Sequence, residues 1–169
     1  MAKLADPILN ELREEIPATR RILERVPADK LGWKPHDKSR SLGELALHVA
    51  ALPGMAATVA NQDEFSPNPP APGAAPRTIT SEEIRTKFEE SVSAAEKALS
   101  NLTDEKAKGN WRLVFRGKEI FSKPRTAALR TNVLNHLYHH RGQLSVYLRL
   151  LNVPVPVVYG PTADENPFL

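Results

Sequence analysis

Apolar residues recur at alternating spacings of three and four in four separate stretches of this 169-residue chain, a period that only helices satisfy. In the first stretch, Leu9, Leu12, Ile16, Thr19, Leu23 and Val26 share one face. The helix they predict runs from Asp6 to about Arg25, with Asp6-Pro7 as cap and first-turn proline. Pro17 falls inside it and is expected to kink it or loosen one turn. Thr19, the one polar residue on the stripe, either bonds back to the preceding turn or faces a buried site. The second helix opens at Leu42 behind a capping box, Ser41-Leu42-Gly43-Glu44, and carries Leu45, His48, Val49, Leu52 and Met55. Pro53 leaves the Val49 carbonyl without its helical donor, which predicts a kink just after His48. Thr80 with Glu83 makes a second capping box before Ile84, Phe88, Val92, Ala95, Leu99 and Leu102. The last stretch spans Ala127 to Leu151, opened by Ser122 and Pro124 and ending near Asn152.

The connectors are unequal. Between the first two helices, Val26-Pro27 to Ser41 is broken by prolines and Gly32, with Trp33 expected to anchor one end of the core. His36 sits there between Pro35 and Asp37 as an exposed loop residue. From Gln62 to Thr78, Pro67, Pro69, Pro70, Pro72, Gly73 and Pro76 exclude helix and central strand, so loop is expected throughout. A connector this long makes sense as a crossover along a bundle, between parallel helices. Between Gly109 and Phe121 the period changes to two: Trp111, Leu113 and Phe115 alternate with Arg112 and Val114, and Arg116-Gly117 offers a turn. A short β-hairpin is expected at 111–121. The tail from Val153 to Leu169 is interrupted by prolines and expected to lie over the surface, anchored by Tyr159 and Phe168. The fold class expected is all-α, a four-helix bundle forming a single domain over residues 1–169.

Composition narrows the chemistry. The net charge of +3 comes from 23 basic and 20 acidic residues spread along the chain, with no basic block to mark a nucleic-acid surface. There is no cysteine, which excludes disulfides, thiolate zinc sites and a cysteine nucleophile. Met1 to Asn10 lacks the apolar core of a signal peptide, and the uncharged run Leu45 to Ala60 is short for a bilayer. The expectation is a cytoplasmic protein that engages neither membrane nor nucleic acid.

Three of the five histidines lie within five residues, in Asn135-His136-Leu137-Tyr138-His139-His140-Arg141-Gly142-Gln143. His136 and His140 are about 40° apart on a helix surface, close enough for both imidazoles to grip one metal ion. His139 lies about 60° to the other side of His136 and could replace His140, but not join it. His48 stands inside the apolar face of the second helix. Such a histidine is either a satisfied core residue or one that shares a metal with the pair on the last helix. Three imidazoles from two helices suit zinc or nickel, with open positions for water or substrate. Glu-x-x-His occurs nowhere, so a ferritin-like di-iron site is not expected.

His48 on a capped helix, the run Leu42-Gly43-Glu44-Leu45-Ala46-Leu47-His48, the connector Trp33-Lys34-Pro35-His36 and the later His136-x-x-x-His140-Arg141-Gly142-Gln143 together resemble the DinB-like (DinB/YfiT) superfamily. The resemblance covers nearly the whole chain. It implies helices in up-down-down-up order, a homodimer, and a divalent metal on His48, His136 and His140, with His139 not a ligand. It also implies that Arg141 and Gln143 orient the imidazoles or line the pocket. Members with known chemistry include metal-dependent thiol transferases and a thiol-dependent isomerase. The expectation is therefore a metal-dependent enzyme, transferase or hydrolase, activating a low-molecular-weight thiol cosubstrate or water toward a small-molecule substrate. The alternative is a non-catalytic metal-binding or stress-response dimeric module. Glu44, one turn before His48, is expected to cap its helix.

Overall fold

The computed structural model describes residues 2–68 and 77–168. Helix α1 spans Asp6–Glu24 and runs through Pro17 without a break. Helix α2, Leu42–Ala51, begins on the expected capping box: Ser41 Oγ accepts from the Glu44 N–H, and the Glu44 carboxylate accepts from the Ser41 N–H at 2.6 Å. The break at Pro53 is present. Leu52–Gly54 tighten into a 3₁₀ turn, whose Leu52 N–H is shared between the His48 and Val49 carbonyls, and α3 resumes over Met55–Asn61.

Helix α4 covers Ser81–Asn101, with Thr80 Oγ1 accepting from the Glu83 N–H. Only that half of the second expected box forms, because the Glu83 carboxylate pairs with Arg77 instead. A short α5, Asp104–Lys108, follows behind its own Thr103 cap. The hairpin is formed by β2, Asn110–Phe115, and β3, Lys118–Pro124. Arg116 (φ 50°) and Gly117 (φ 76°) both take the left-handed conformation that a two-residue turn needs to match the strand twist. The expected loop at 62–78 is corrected in one place: Glu64–Phe65 form a two-residue strand, β1, pairing in parallel with Arg112 and Leu113 of β2. It is an edge strand, so the proline-rich sequence after it does not interrupt a ladder. Pro69, Pro70, Pro72, Gly73 and Pro76 lie outside the described residues.

The last helix starts later than expected. Ser122 is a strand residue opposite Arg112, and the helix begins after Pro124 with α6, Arg125–Leu129. A π-helical turn, Arg130–Asn135, then leads into α7, His136–Leu150. Asn152 (φ 57°) ends it, with the Val153 N–H reaching the Leu148 carbonyl at 2.9 Å.

Side-chain pairs fix the direction of each helix. Lys3 reaches the Ser100 carbonyl, Arg13 pairs with Glu96 and Arg20 with Glu89, so α1 and α4 are antiparallel. Gly43 faces Ile79 while Gly54 faces Ser91, so α2–α3 runs parallel to α4. Glu11 pairs with Arg130 and Glu15 with Arg141, so α1 and α7 are parallel. The order is up-down-down-up, with the crossover between the parallel pair. Leu12, Ile22, Leu45, Leu99, Leu129 and Leu144 are fully buried between the four helices, and Trp111 is buried beneath the hairpin. Leu42–Asn61 is long and apolar enough to resemble a membrane span, but 56% of that window is buried inside the bundle, as in a core helix. The tail anchors are only half borne out. Phe168 is 79% exposed, whereas the exposed Tyr159 ring places its hydroxyl between Glu15 and Arg141.

A candidate metal centre of three histidines

Helices α2 and α7 pack antiparallel, and their facing sides bring three imidazoles together. His48 Nε2 lies 3.3 Å from His136 Nε2, which lies 2.9 Å from His140 Nε2. One nitrogen from each of the three rings falls within 4.8 Å of the others, and all three rings are half-buried. The 3₁₀ turn at Pro53 begins one turn after His48, so His48 itself stands on regular helix. His139 is exposed and outside the cluster, its ring lying edge-on to that of His140 at a centroid distance of 4.8 Å. His36 is an exposed loop residue whose Nδ1 accepts from the Lys38 N–H.

Three converging imidazole nitrogens could hold one metal ion between them. Two neutral imidazoles can exchange a single hydrogen bond, but a third nitrogen in the same cluster has no proton left to balance it. Two of the three rings are also held from behind. His140 Nδ1 donates to Gln143 Oε1 at 2.7 Å, which leaves Nε2 with its lone pair toward the cluster. His136 is held by the Asn132 backbone carbonyl, which is available because the His136 N–H turns to Val133 at the end of the π-helical turn. The residues fit a divalent metal ion.

The electrostatics point the same way. Burial, followed by the charge of Arg40 and then the other two imidazoles, holds His48 down at about 3. Burial also lowers His136 and His140, and Arg40 lowers both further. All three are thus biased toward the neutral form that ligands must take, His48 most strongly. The same shifts make the metal-free fold acid-sensitive. The unfolded chain takes up protons at these histidines as pH falls through about 6.5, while the folded chain resists them, so stability is lost from there toward pH 3. Denaturant midpoints of metal-free protein between pH 7 and pH 4 are expected to fall, and His48→Leu is expected to flatten that fall.

Gln143 and Arg141 take different parts. Gln143 orients His140, whereas Arg141 turns to α1 and is 2% exposed. There it pairs with Glu15 at 2.6 Å and donates to Thr19 Oγ1 at 2.9 Å. Thr19 fulfils both readings at once, since its hydroxyl also donates back to the Glu15 carbonyl. This buried network locks the rotation of α7 one residue after His140. Asn132 and Arg40 escaped sequence reasoning. Arg40 precedes the Ser41 cap by one residue, and nothing in its own neighbourhood announces that it faces His48.

His48 also forms part of the wall of a cavity of about 780 Å³, so the triad borders open space on its α2 side. Glu44 borders the same cavity, but its carboxylate is bound to Ser41, whose backbone N–H above all holds it below the usual glutamate range.

Solved structures share this arrangement of helices. A DinB-like protein of Bacillus cereus is 24% identical, with 91% of this chain and 97% of that one aligned at a TM-score of 0.66. A DinB-like protein of Bacillus subtilis is 22% identical, covering 90% of this chain and 96% of its own at 0.64. A putative DinB family member from Exiguobacterium sibiricum is 19% identical, covering 93% and 97% at 0.63. In sequence, the uncharacterized protein YrdA of Bacillus subtilis is 25% identical over 166 residues, which is 98% of this chain and 93% of that protein. The model of the DinB family matches residues 1–166, both histidine-bearing helices included, and the chain belongs to that family.

Proposed function

We propose that the protein is a metal-dependent enzyme that holds zinc or nickel on His48, His136 and His140 and activates a low-molecular-weight thiol or water toward a small-molecule substrate. The observation that carries this reading is the convergence of three imidazole nitrogens, with His48 in the wall of an open cavity. A divalent ion there supplies Lewis acidity, which brings the loss of a proton from a thiol or water into the neutral range. The chain's own residues do the rest. Gln143 and the Asn132 carbonyl orient the His140 and His136 rings, Arg141 fixes the rotation of α7, and Leu47 and Ala51 flank His48 on the cavity wall. With no cysteine in the chain, any thiol is a cosubstrate. Glu44, held in its cap, is a weak proton acceptor. The proposed setting is cytoplasmic, where reduced small thiols are available.

The test is metal analysis of the purified protein together with a screen of small thiols against electrophiles. Turnover that disappears with chelator and returns with one metal supports the enzyme. Stoichiometric metal with no turnover across the screen favours a binding module.

The protein is also proposed to be a homodimer joined through α7. Val146 and Leu150, one turn apart, are 56% and 57% exposed, and the space in front of Gly142 is open. A closely approaching second helix would cover that stripe. Light scattering over a dilution series is expected to give twice the 18.7 kDa of one chain. A single-chain mass at every concentration overturns the dimer.

A further inference from the structure

The cavity beside the triad has two arms of opposite character. One, of about 780 Å³, is lined by Lys38, Arg40, Arg77 and Lys87 against only two carboxylates, Glu44 and Glu83. Both carboxylates are engaged, Glu44 by Ser41 and Glu83 by Arg77. Lys38, Arg40 and Lys87 make no salt bridge among the described residues, although the charge of Arg40 reaches the Glu44 carboxylate. The other arm, of about 450 Å³, is lined by Met55, Phe65, Leu52 and Ala94, with Thr58 and Glu90 at its polar margin. His48, Ala51 and Lys87 belong to both arms, so the two adjoin at His48.

Three exposed cations around a concave wall give it a positive potential that draws anions in. An apolar trough continuous with them removes hydrocarbon from water at the same time. We propose that this cleft is a two-armed site for an amphiphilic anion, a small molecule whose carboxylate or phosphate sits against Arg40 and Lys38 and whose apolar part lies along Met55 and Phe65. The proposal rests on the reading of the triad as the centre of a small-molecule enzyme and names the class of molecule it takes. Arg40 is the pivotal residue: only its backbone carbonyl is used by the fold, accepting from the Tyr147 hydroxyl, and its guanidinium is free to bind. Phe65 belongs to β1, the short edge strand that extends the hairpin sheet toward α3.

The probes are phenylbutyrate, its uncharged amide, acetate and phenyl phosphate, titrated into isotope-labelled protein, metal-free and zinc-loaded, while backbone amide shifts are followed. Phenylbutyrate is expected to move amides in 38–44 and in 55–65 together, and to bind about tenfold tighter than the amide, as a charge-assisted contact warrants. Acetate should move only the first group. Arg40→Gln should erase the preference for acid over amide, and Phe65→Ala should weaken both ligands alike. Tighter binding of phenyl phosphate than of phenylbutyrate identifies a phosphate ligand and the reverse order a carboxylate; either supports the anion arm. Equal affinity for acid and amide, or an acid preference that survives Arg40→Gln, overturns the proposal. The metal-free titration keeps the two readings separate. Anion binding there without zinc uptake overturns the metal centre alone, and zinc uptake without anion preference overturns the anion site alone.

Discussion

Alanine at His48, His136 or His140 is expected to abolish stoichiometric metal binding, each change alone weakening it by more than about 100-fold, the upper range seen when groups that merely orient a ligand are removed. Alanine at His139 or His36 should leave stoichiometry and affinity near normal. The expectation follows from geometry. His136 and His140 approach to 2.9 Å on one helix, but two imidazoles cannot complete a site, and the third nitrogen comes from α2 across the interface. His139, about 100° around the helix from His140, has no route to the cluster. Metal analysis of the five variants after dialysis is the measurement. If the histidines were merely satisfied core residues, His48→Leu would be tolerated and metal content would not change, so unaltered stoichiometry in His48→Ala overturns the triad. Acidification should release metal only below the ordinary imidazole range, because burial already opposes protonation at all three rings.

The residues that bring the triad together were largely legible from local chemistry. Ser41 and Glu44 announce the start of α2, and Pro53 announces its end, so the turn bearing His48 is bounded on both sides by residues with one structural meaning. The i, i+4 spacing of His136 and His140 needs only a helix to become a pair. Long-range packing was less readable. The π-helical turn before His136 contains no proline or glycine, and its trace is subtle: Leu129, Val133, Leu137 and Arg141 are buried at three successive spacings of four. On a regular helix each such step overshoots by about 40°, so this stripe would wind away from the core. A wider turn absorbs the excess and returns His136 to the face opposite His48. Strand β1 was hidden because two residues carry no period, and it exists only through its pairing with β2. The half-formed cap at Thr80 shows the same limit, since Arg77 competes for Glu83 from outside the motif.

The largest loss of stability is expected at Arg125, far from any histidine. Its side chain is 3% exposed, and its guanidinium serves three separate segments. It donates to the Val59 and Gln62 carbonyls at 2.8 Å, at the end of α3, and to the Lys106 carbonyl at 3.2 Å, in α5. It also reaches the Asn110 carbonyl at the start of β2 and forms an ion pair with Asp63. The last-turn carbonyls of a helix have no partner of their own, and a cation there also opposes the negative end of the dipole. Arg125→Ala removes these donors together and leaves buried carbonyls unsatisfied, so about 3–5 kcal/mol of stability should be lost. Arg125→Met should fare no better, since restoring volume does not restore donors. Arg125→Lys should recover only part, because a single ammonium cannot imitate the guanidinium fork across segments that diverge. Exposed pairs supply the control: Arg13→Ala breaks the pair with Glu96, half in solvent, and should cost no more than about 1 kcal/mol. Equilibrium denaturation of the four variants decides between a hub and an ordinary ion pair. If Arg125→Ala costs no more than Arg13→Ala, then α3, α5 and the hairpin are held together by their apolar contacts around Trp111 alone.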